Sequence, residues 1–172
     1  MDLKDFIASV PDFPQPGIIF RDITPLLHDR DALMIAVRRL IEPWTSWDVD
    51  YICAVESRGF IFGGAAAILL DCGFIPVRKK GKLPRETFAY EYALEYGSDT
   101  VELHRDALGE GDRVLIIDDL IATGGTAWAT AKLVQEAGAE VKGATFLIEL
   151  IELGGRKRLE ELGVRVHSLI KY

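Results

Sequence analysis

Residues Val114–Thr126 read V-L-I-I-D-D-L-I-A-T-G-G-T, and the order of residue types in that run decides the fold. Val114-Leu115-Ile116-Ile117 is a continuous apolar stretch of the kind that makes a buried strand. Asp118 and Asp119 follow at its carboxyl end, and Ala122-Thr123-Gly124-Gly125-Thr126 leads into a helix. Glycines and small hydroxyl residues there let backbone N–H groups approach a phosphate, whose charge a helix N-terminus favours. Two adjacent carboxylates beside an anion cradle would repel the anion unless they serve something else. Sugar hydroxyls, or a cation bridging to the ligand, resolve that conflict, and the combination describes a phosphorylated ribose. A bare Asp-Asp or Gly-Gly would mean no more than a dipole complement and a turn; the ordered string outweighs that reading. No lysine follows the glycines, so the run is not a Walker loop.

Working outward, Tyr51–Val55 reads as a second buried strand that breaks at Glu56-Ser57-Arg58-Gly59 before an Ala-rich helix over 61–71, with Gly73 as its cap. Phe74–Val77 is a further strand, Pro76 limiting its pairing on one side. Apolar residues at helical spacing predict a helix over 31–42. Another runs from Thr126 to Ala137, with Gly138 as its stop. Val141–Leu150 is a strand, Gly155–Leu162 a helix, and Val164–Ile170 a last strand. Leu3–Val10 reads as a short helix, after which Pro11, Pro14, Pro16 and Gly17 forbid regular structure until Ile18. The alternating aromatics of 86–96 and the alternation of 100–104 suggest a hairpin-like excursion outside the main sheet. Strand and helix alternate with continuous apolar strands, which implies an α/β fold with a parallel sheet covered on both faces. Ligands bind such sheets at the carboxyl ends of the strands, placing the loops at Glu56, Asp118 and Lys79 on one rim.

The totals fit one soluble domain. The chain has 172 residues, 49% hydrophobic and 27% charged, with no linker-like tract. The formal net charge of −7 argues against nucleic acid as a partner. The start Met1–Asp5 lacks the pattern of a secretory signal, and the apolar stretch Phe60–Leu70 is too short and glycine-rich to span a membrane. Cys53 and Cys72 read as small buried hydrophobes. A cytoplasmic protein is expected. The basic run Arg78-Lys79-Lys80-Gly81-Lys82, with Arg85, gains interest only if phosphate-binding parts converge on it. His28, His104 and His167 have no metal-ligand spacing.

The Val114–Thr126 string resembles the phosphoribosyl-pyrophosphate (PRPP) motif of type I phosphoribosyltransferases. The resemblance extends over nearly the whole chain and is nearest to members that use adenine. Phe13–Leu27 looks like their N-terminal purine-covering segment, Glu56-Ser57-Arg58-Gly59-Phe60 their pyrophosphate loop, Arg78–Pro84 and Leu94-Glu95-Tyr96-Gly97 their mobile catalytic loop. Glu149-Leu150 resembles a place where an aliphatic side chain packs on adenine. The fold implied is a central, mostly parallel sheet flanked by helices. It is a single domain over 1–172, with a hood at about 1–27 and a mobile loop at about 79–100. Ile121 stands where the family string more often has leucine, and Arg85 and Glu91 make this loop more charged than the family pattern.

The reaction implied is adenine plus PRPP giving AMP and pyrophosphate. By resemblance, Ala122, Thr123, Gly124, Gly125 and Thr126 grip the 5′-phosphate while Asp118 and Asp119 serve the ribose hydroxyls, one of the two more directly. Mg²⁺ is the expected cofactor, bound through substrate oxygens and water, with the two aspartates contacting it only through water. Arg58 and Lys82, with Arg78 as a third, answer the pyrophosphate; Lys80 and Arg85 read as solvated. Glu95 matches the catalytic-loop acid, with Glu91 a competitor one alternation earlier, and Tyr96 shields the site or orients the loop. Ile19, Phe20 and Leu150 would sandwich adenine, Arg21 contributing through its backbone. A homodimer is implied as well. Two alternatives stay open: another purine base, or a non-catalytic sensor of PRPP or purines, which would need an effector arm such as a DNA-binding domain.

Overall fold

The computed structural model describes residues 1–172. Seven strands form one sheet in the order β5-β6-β4-β3-β7-β8-β9. β3 (Tyr51–Val55), β4 (Gly73–Lys79), β7 (Arg113–Ile121), β8 (Glu140–Glu149) and β9 (Val166–Lys171) run parallel. β5 (Thr87–Ala93) and β6 (Ser98–His104) form an antiparallel hairpin that joins this sheet through Arg78 and Lys79 of β4. The hairpin therefore extends the main sheet rather than standing apart from it. Pro76 lies in the part of β4 that pairs only with β3, where its missing donor costs no ladder bond.

Alternation along the central strands divides the core into two. Ile52, Ala54, Leu115 and Ile117 pack on one face with α1 (Thr24–His28), α2 (Arg30–Ile41) and α3 (Gly59–Leu70). Cys53, Val55, Val114 and Ile116 pack on the other, under α4 (Gly125–Glu136) and α5 (Gly155–Glu160). Each fully buried Leu, Ile, Val or Phe contributes about 1.5–3 kcal/mol, so these continuous apolar strands make the two-sided parallel arrangement the stable one. No helix is long and apolar enough to cross a membrane.

Three local expectations are corrected. Residues 3–10 are a 3₁₀ turn over Leu3–Phe6 followed by β1 (Ala8–Pro11), which pairs antiparallel with β2 (Ile19–Asp22). The prolines that break structure over 11–17 thus form the connection of a hairpin, closed by Asp12 Oδ1 accepting from the Gly17 amide at 2.9 Å. Helix α3 ends on Asp71 in the left-handed region, not on Gly73. Gly73 instead begins β4, where a β-carbon would meet the Tyr51 ring at 2.6 Å. β7 runs on through both aspartates to Ile121, because β8 keeps pairing with it after β3 has ended. Gly138 stops α4 as expected, at φ +85°.

Candidate active site

Two clefts open at the carboxyl ends of the parallel strands and share Asp118, Leu120 and Thr126 in their walls. One has about 160 Å³ of space for solvent and is walled by Ala122, Thr123, Gly124, Gly125 and Thr126, with Tyr92 and Leu94 from the hairpin. The other, of about 290 Å³, is walled by Glu56, Ser57, Arg58, Lys79 and Asp119.

Each cleft meets a helix N-terminus with no side-chain cap. α4 begins after Gly124, which sits at φ +78°, and α3 begins after Arg58. By contrast α2, away from the clefts, is capped by Asp29, whose carboxylate accepts from the amides of Asp31 and Ala32. Uncapped first-turn donors together with the helix dipole suit an anion. The first cleft is buttressed from behind: the Gly155 amide donates to the Ala122 carbonyl at 3.0 Å. A β-carbon on Gly124 would lie 2.9 Å from Gly155 Cα, and one on Gly155 2.5 Å from the Ala122 oxygen. Only glycine fits at both positions.

The two aspartates differ in situation. Asp119 is 6% exposed, and its Oδ2 accepts from Arg58 Nε at 2.6 Å. Asp118 borders both clefts, and its Oδ1 accepts from the Asp119 amide at 2.8 Å. Desolvation by the surrounding protein, and then the charge of Asp119, push the Asp118 carboxyl well above the ordinary carboxylate range. Gly59 permits this crowding, since a β-carbon there would meet Asp118 Oδ1 at 2.8 Å.

The basic run does converge on the site, held by Glu56. Lys82 Nζ donates to Glu56 Oε2 at 2.6 Å, the Lys79 amide donates to Oε1 at 2.7 Å, and Arg78 Nε lies 3.4 Å from Oε1. Burial alone would raise Glu56, but the hydrogen bonds from Lys82 and the Lys79 amide outweigh it and hold the carboxylate below its usual range. Lys79 Nζ donates to Tyr92 Oη at 2.9 Å and pairs with Asp99. Thr126 Oγ1 donates to the same phenol at 3.0 Å. The root of the hairpin is thereby tied to the first turn of α4.

Other residues singled out in the sequence lie elsewhere. Glu95 and Tyr96 stand at the turn between β5 and β6, closed by the Leu94 amide donating to the Gly97 carbonyl. Both are exposed, Tyr96 at 87%, and neither lines a cleft. Glu91 accepts from Ser98 Oγ on the outside of the hairpin. Arg85 pairs with Asp106 at 2.9 Å. Phe20 places its ring 5.7 Å from the Arg58 guanidinium and meets Phe13 edge-on, which brings β2 beside one wall residue of the second cleft. Ile19 is exposed, Leu150 is half-buried, and the Arg21 side chain turns to the Tyr172 ring. His167 Nε2 contacts the Arg39 carbonyl and has no part in the clefts.

Tyr92, Lys79, Glu56 and Leu120 are the site residues that the sequence reading did not assign to ligand. Lys79 and Glu56 lie inside motifs that it did quote. Tyr92 carried only a period-2 aromatic signal, which fits a packed strand equally well. No group of three or more His, Cys, Asp and Glu side chains is placed to share a metal ion. Of the carboxylates at the clefts, Asp118 borders both and makes no ion pair, whereas Asp119 is taken by Arg58 and Glu56 by Lys82.

A mostly parallel sheet with two uncapped helix N-termini meeting at a carboxylate pair is the arrangement expected of a phosphoribosyltransferase of type I. The phosphoribosyl transferase domain model matches residues 27–167. Adenine phosphoribosyltransferase of Maricaulis maris is 56% identical over 172 residues, covering 100% of this chain and 98% of that protein. The solved structure of adenine phosphoribosyltransferase from Rhodothermus marinus is 56% identical with a TM-score of 0.94, covering 99% of this chain and 96% of that one. The Saccharomyces cerevisiae enzyme was solved with D-2,5-dideoxy-2,5-imino-altritol 1,6-bisphosphate and adenine. It is 41% identical with a TM-score of 0.89, covering 97% of this chain and 96% of that one. The chain belongs to the phosphoribosyltransferase family and, within it, to the adenine phosphoribosyltransferases.

Proposed function

We propose that the chain transfers the 5-phosphoribosyl group of PRPP to adenine, releasing pyrophosphate and forming AMP. The observation that carries this reading is the meeting of the two clefts at Asp118, each with an uncapped helix N-terminus. That spacing suits one ligand with phosphate at both ends and ribose between. In the reaction the bond from C1 of the ribose to pyrophosphate oxygen breaks and a bond to a purine nitrogen forms. The transition state has oxocarbenium character, so the chain acts by electrostatics and alignment.

Backbone amides of Ala122–Thr126 take the 5′-phosphate. Asp118 takes the ribose hydroxyls directly; Asp119 acts chiefly by holding Arg58 at the pyrophosphate end. Lys79 joins Arg58 there, and Lys82 and Arg78 stand behind them on Glu56. Mg²⁺, held by substrate oxygens and water near Asp118, would neutralise charge on the leaving pyrophosphate. Phe20, Ile19 and Leu150 enclose the base, with Arg21 giving backbone groups. Glu95 handles the proton of the purine ring, and Tyr96 excludes water; both require the hairpin tip to fold over the clefts. The exposed apolar side chains Ile61, Ile68 and Leu69 of α3 and neighbouring Phe74 suit a homodimer interface. A cytoplasmic setting is in keeping with the two free thiols, Cys53 and Cys72.

The test is AMP formation from adenine and PRPP with Mg²⁺, set beside hypoxanthine, guanine and xanthine. Turnover of another base but not adenine would reassign the base; PRPP binding without turnover of any purine would make the chain a sensor. Light scattering at micromolar concentration reads the dimer.

A further inference from the structure

The cleft assigned to the 5′-phosphate has a charge problem. Its walls contain no lysine, arginine or histidine, and their one charged residue is Asp118. A dianion seated there meets only neutral donors and a helix dipole, with a carboxylate nearby. The cation that answers it comes from α5, outside the sequence motif.

We propose that Arg158 supplies the positive charge of the 5′-phosphate subsite, acting across the backbone of Gly125. A β-carbon on Gly125 would lie 3.5 Å from Arg158 Nη1 and 3.0 Å from the Tyr92 ring. The guanidinium therefore lies within van der Waals reach of the first turn of α4, and the tight contact of a side chain at Gly125 would be with Tyr92 instead. The Arg158 guanidinium makes no hydrogen bond and no ion pair with any carboxylate, its backbone amide alone bonding to the Gly154 carbonyl, so its charge is uncommitted. Arg156, two residues earlier on the same helix, is the contrast: it is fully engaged with Glu149, Ser168 and the Val166 carbonyl.

What positions Arg158 is aromatic. Its guanidinium lies 5.0 Å from the centre of the Trp128 ring, which Tyr90 of β5 braces edge-on at 5.3 Å. Stacking on an indole holds a guanidinium in place without neutralising it. A carboxylate partner would hold it too, at the expense of the field felt by the phosphate. The proposal rests on the transferase reading, because that reading puts the phosphate in this cleft. It adds a residue that the phosphate-loop motif does not contain.

The experiment compares wild type, Arg158→Met and Arg158→Lys by calorimetric titration with AMP, PRPP and adenosine. Arg158→Met keeps the stem over Trp128 and removes the charge. AMP and PRPP should each weaken by about tenfold, the order of one unit charge acting over several ångströms without contact, and Arg158→Lys should recover most of it. Adenosine, which has no phosphate, should bind all three alike, and 0.5 M salt should shrink the difference. A second readout is the phosphorus NMR titration of bound AMP. Loss of a nearby cation raises the second ionisation of the phosphate, by roughly half a unit or more, which a purely structural role would not do. An AMP affinity within twofold of wild type in Arg158→Met, or equal weakening of adenosine and AMP, would overturn the proposal. Should Arg158→Met fail to fold, the phosphorus titration with Arg158→Lys and Arg158→Gln decides. An unshifted ionisation in Arg158→Gln counts against the proposal. Wild type that binds neither AMP nor PRPP would instead overturn the transferase reading.

Discussion

Replacing Arg156 with methionine tests the support beneath the phosphate loop. Glu149 ends β8 with its side chain 6% exposed, and Arg156 meets it with Nε at 2.9 Å and Nη2 at 2.7 Å. The same guanidinium donates to the Val166 carbonyl at 2.8 Å and to Ser168 Oγ at 3.0 Å, joining α5 to β8 and β9. Removing it strands a buried carboxylate, which costs about 3–5 kcal/mol, and partial exposure of the pair favours the lower end, about 3 kcal/mol. For a chain of this size that lowers Tm by roughly 6–12 °C. The pH dependence has a definite sign. Hydrogen bonds from Arg156, working against burial, hold Glu149 below its ordinary range. The stability so gained is present above the unfolded-state value of about 4.3 and is lost as pH falls through the folded value. In Arg156→Met burial is opposed only by the Ser168 hydrogen bond and the charge of Lys171, so Glu149 moves up relative to wild type, and the deficit should be full near pH 7.5 and fade toward about pH 4.5. Urea unfolding across that range is the assay. A deficit under about 1 kcal/mol, or one that stays constant over the range, would refute the reasoning. Adding Glu149→Gln to Arg156→Met should restore part of the loss, because no buried charge then remains.

Glu95→Gln should lower kcat by about a hundredfold with PRPP affinity nearly unchanged, as suits a proton-handling group acting in the transition state; equal loss of both in single-turnover and binding measurements would place Glu95 in ground-state binding. Asp118→Asn should weaken PRPP about tenfold or more, while Asp119→Asn should weaken pyrophosphate more than AMP by releasing Arg58; the reverse pattern in calorimetry would exchange their roles. Gly59→Ala presses a methyl against Asp118 Oδ1 and the Ile117 carbonyl and should cost PRPP affinity without a comparable loss in AMP-independent stability of more than about 3 kcal/mol; unchanged PRPP binding would show that the crowding of Asp118 is irrelevant. Burial pushes the Cys53 thiol up to about 12, so one thiol per native chain, Cys72, should react with a disulfide reagent at pH 8; two fast-reacting thiols would contradict the packing of β3.

What the sequence disclosed was whatever is written within one short segment. The strand Val114–Ile117, the paired aspartates and the glycine turn are contiguous, so their order carries both the fold and the phosphate grip. The β-strands of the parallel core were legible because burial on both faces makes them continuously apolar, α2 because its apolar periodicity is local, and α4 because the glycine turn before it and Gly138 after it are. The β1–β2 hairpin was not, since Pro11, Pro14 and Pro16 signal a break without saying whether the flanking segments pair. The union of β5 and β6 with the sheet rests on two residues of β4, Arg78 and Lys79, a pairing that leaves no mark in either partner's pattern. Tyr92 looked like any strand aromatic because its partners, Thr126 and Lys79, lie far along the chain.

The same distinction explains how the phosphate loop can be so rich in glycine and still be held in shape. Within Ala122–Thr126 nothing rigid is visible: glycine gives up conformational freedom on folding more than any other residue. The rigidity is supplied from outside. Gly155 closes on Gly124 and bonds to Ala122 from behind, while Tyr92 bonds Thr126 from the front. Gly155 is in turn fixed by the neighbouring Arg156 and its buried acid. A loop that must offer bare amides to an anion cannot stiffen itself with side chains, which would occupy the donors or the space. Its order has to come from β5 and α5, segments whose sequences show no phosphate motif. The electrostatics follow the same division: the loop contributes dipoles, and full charge sits on elements that frame it.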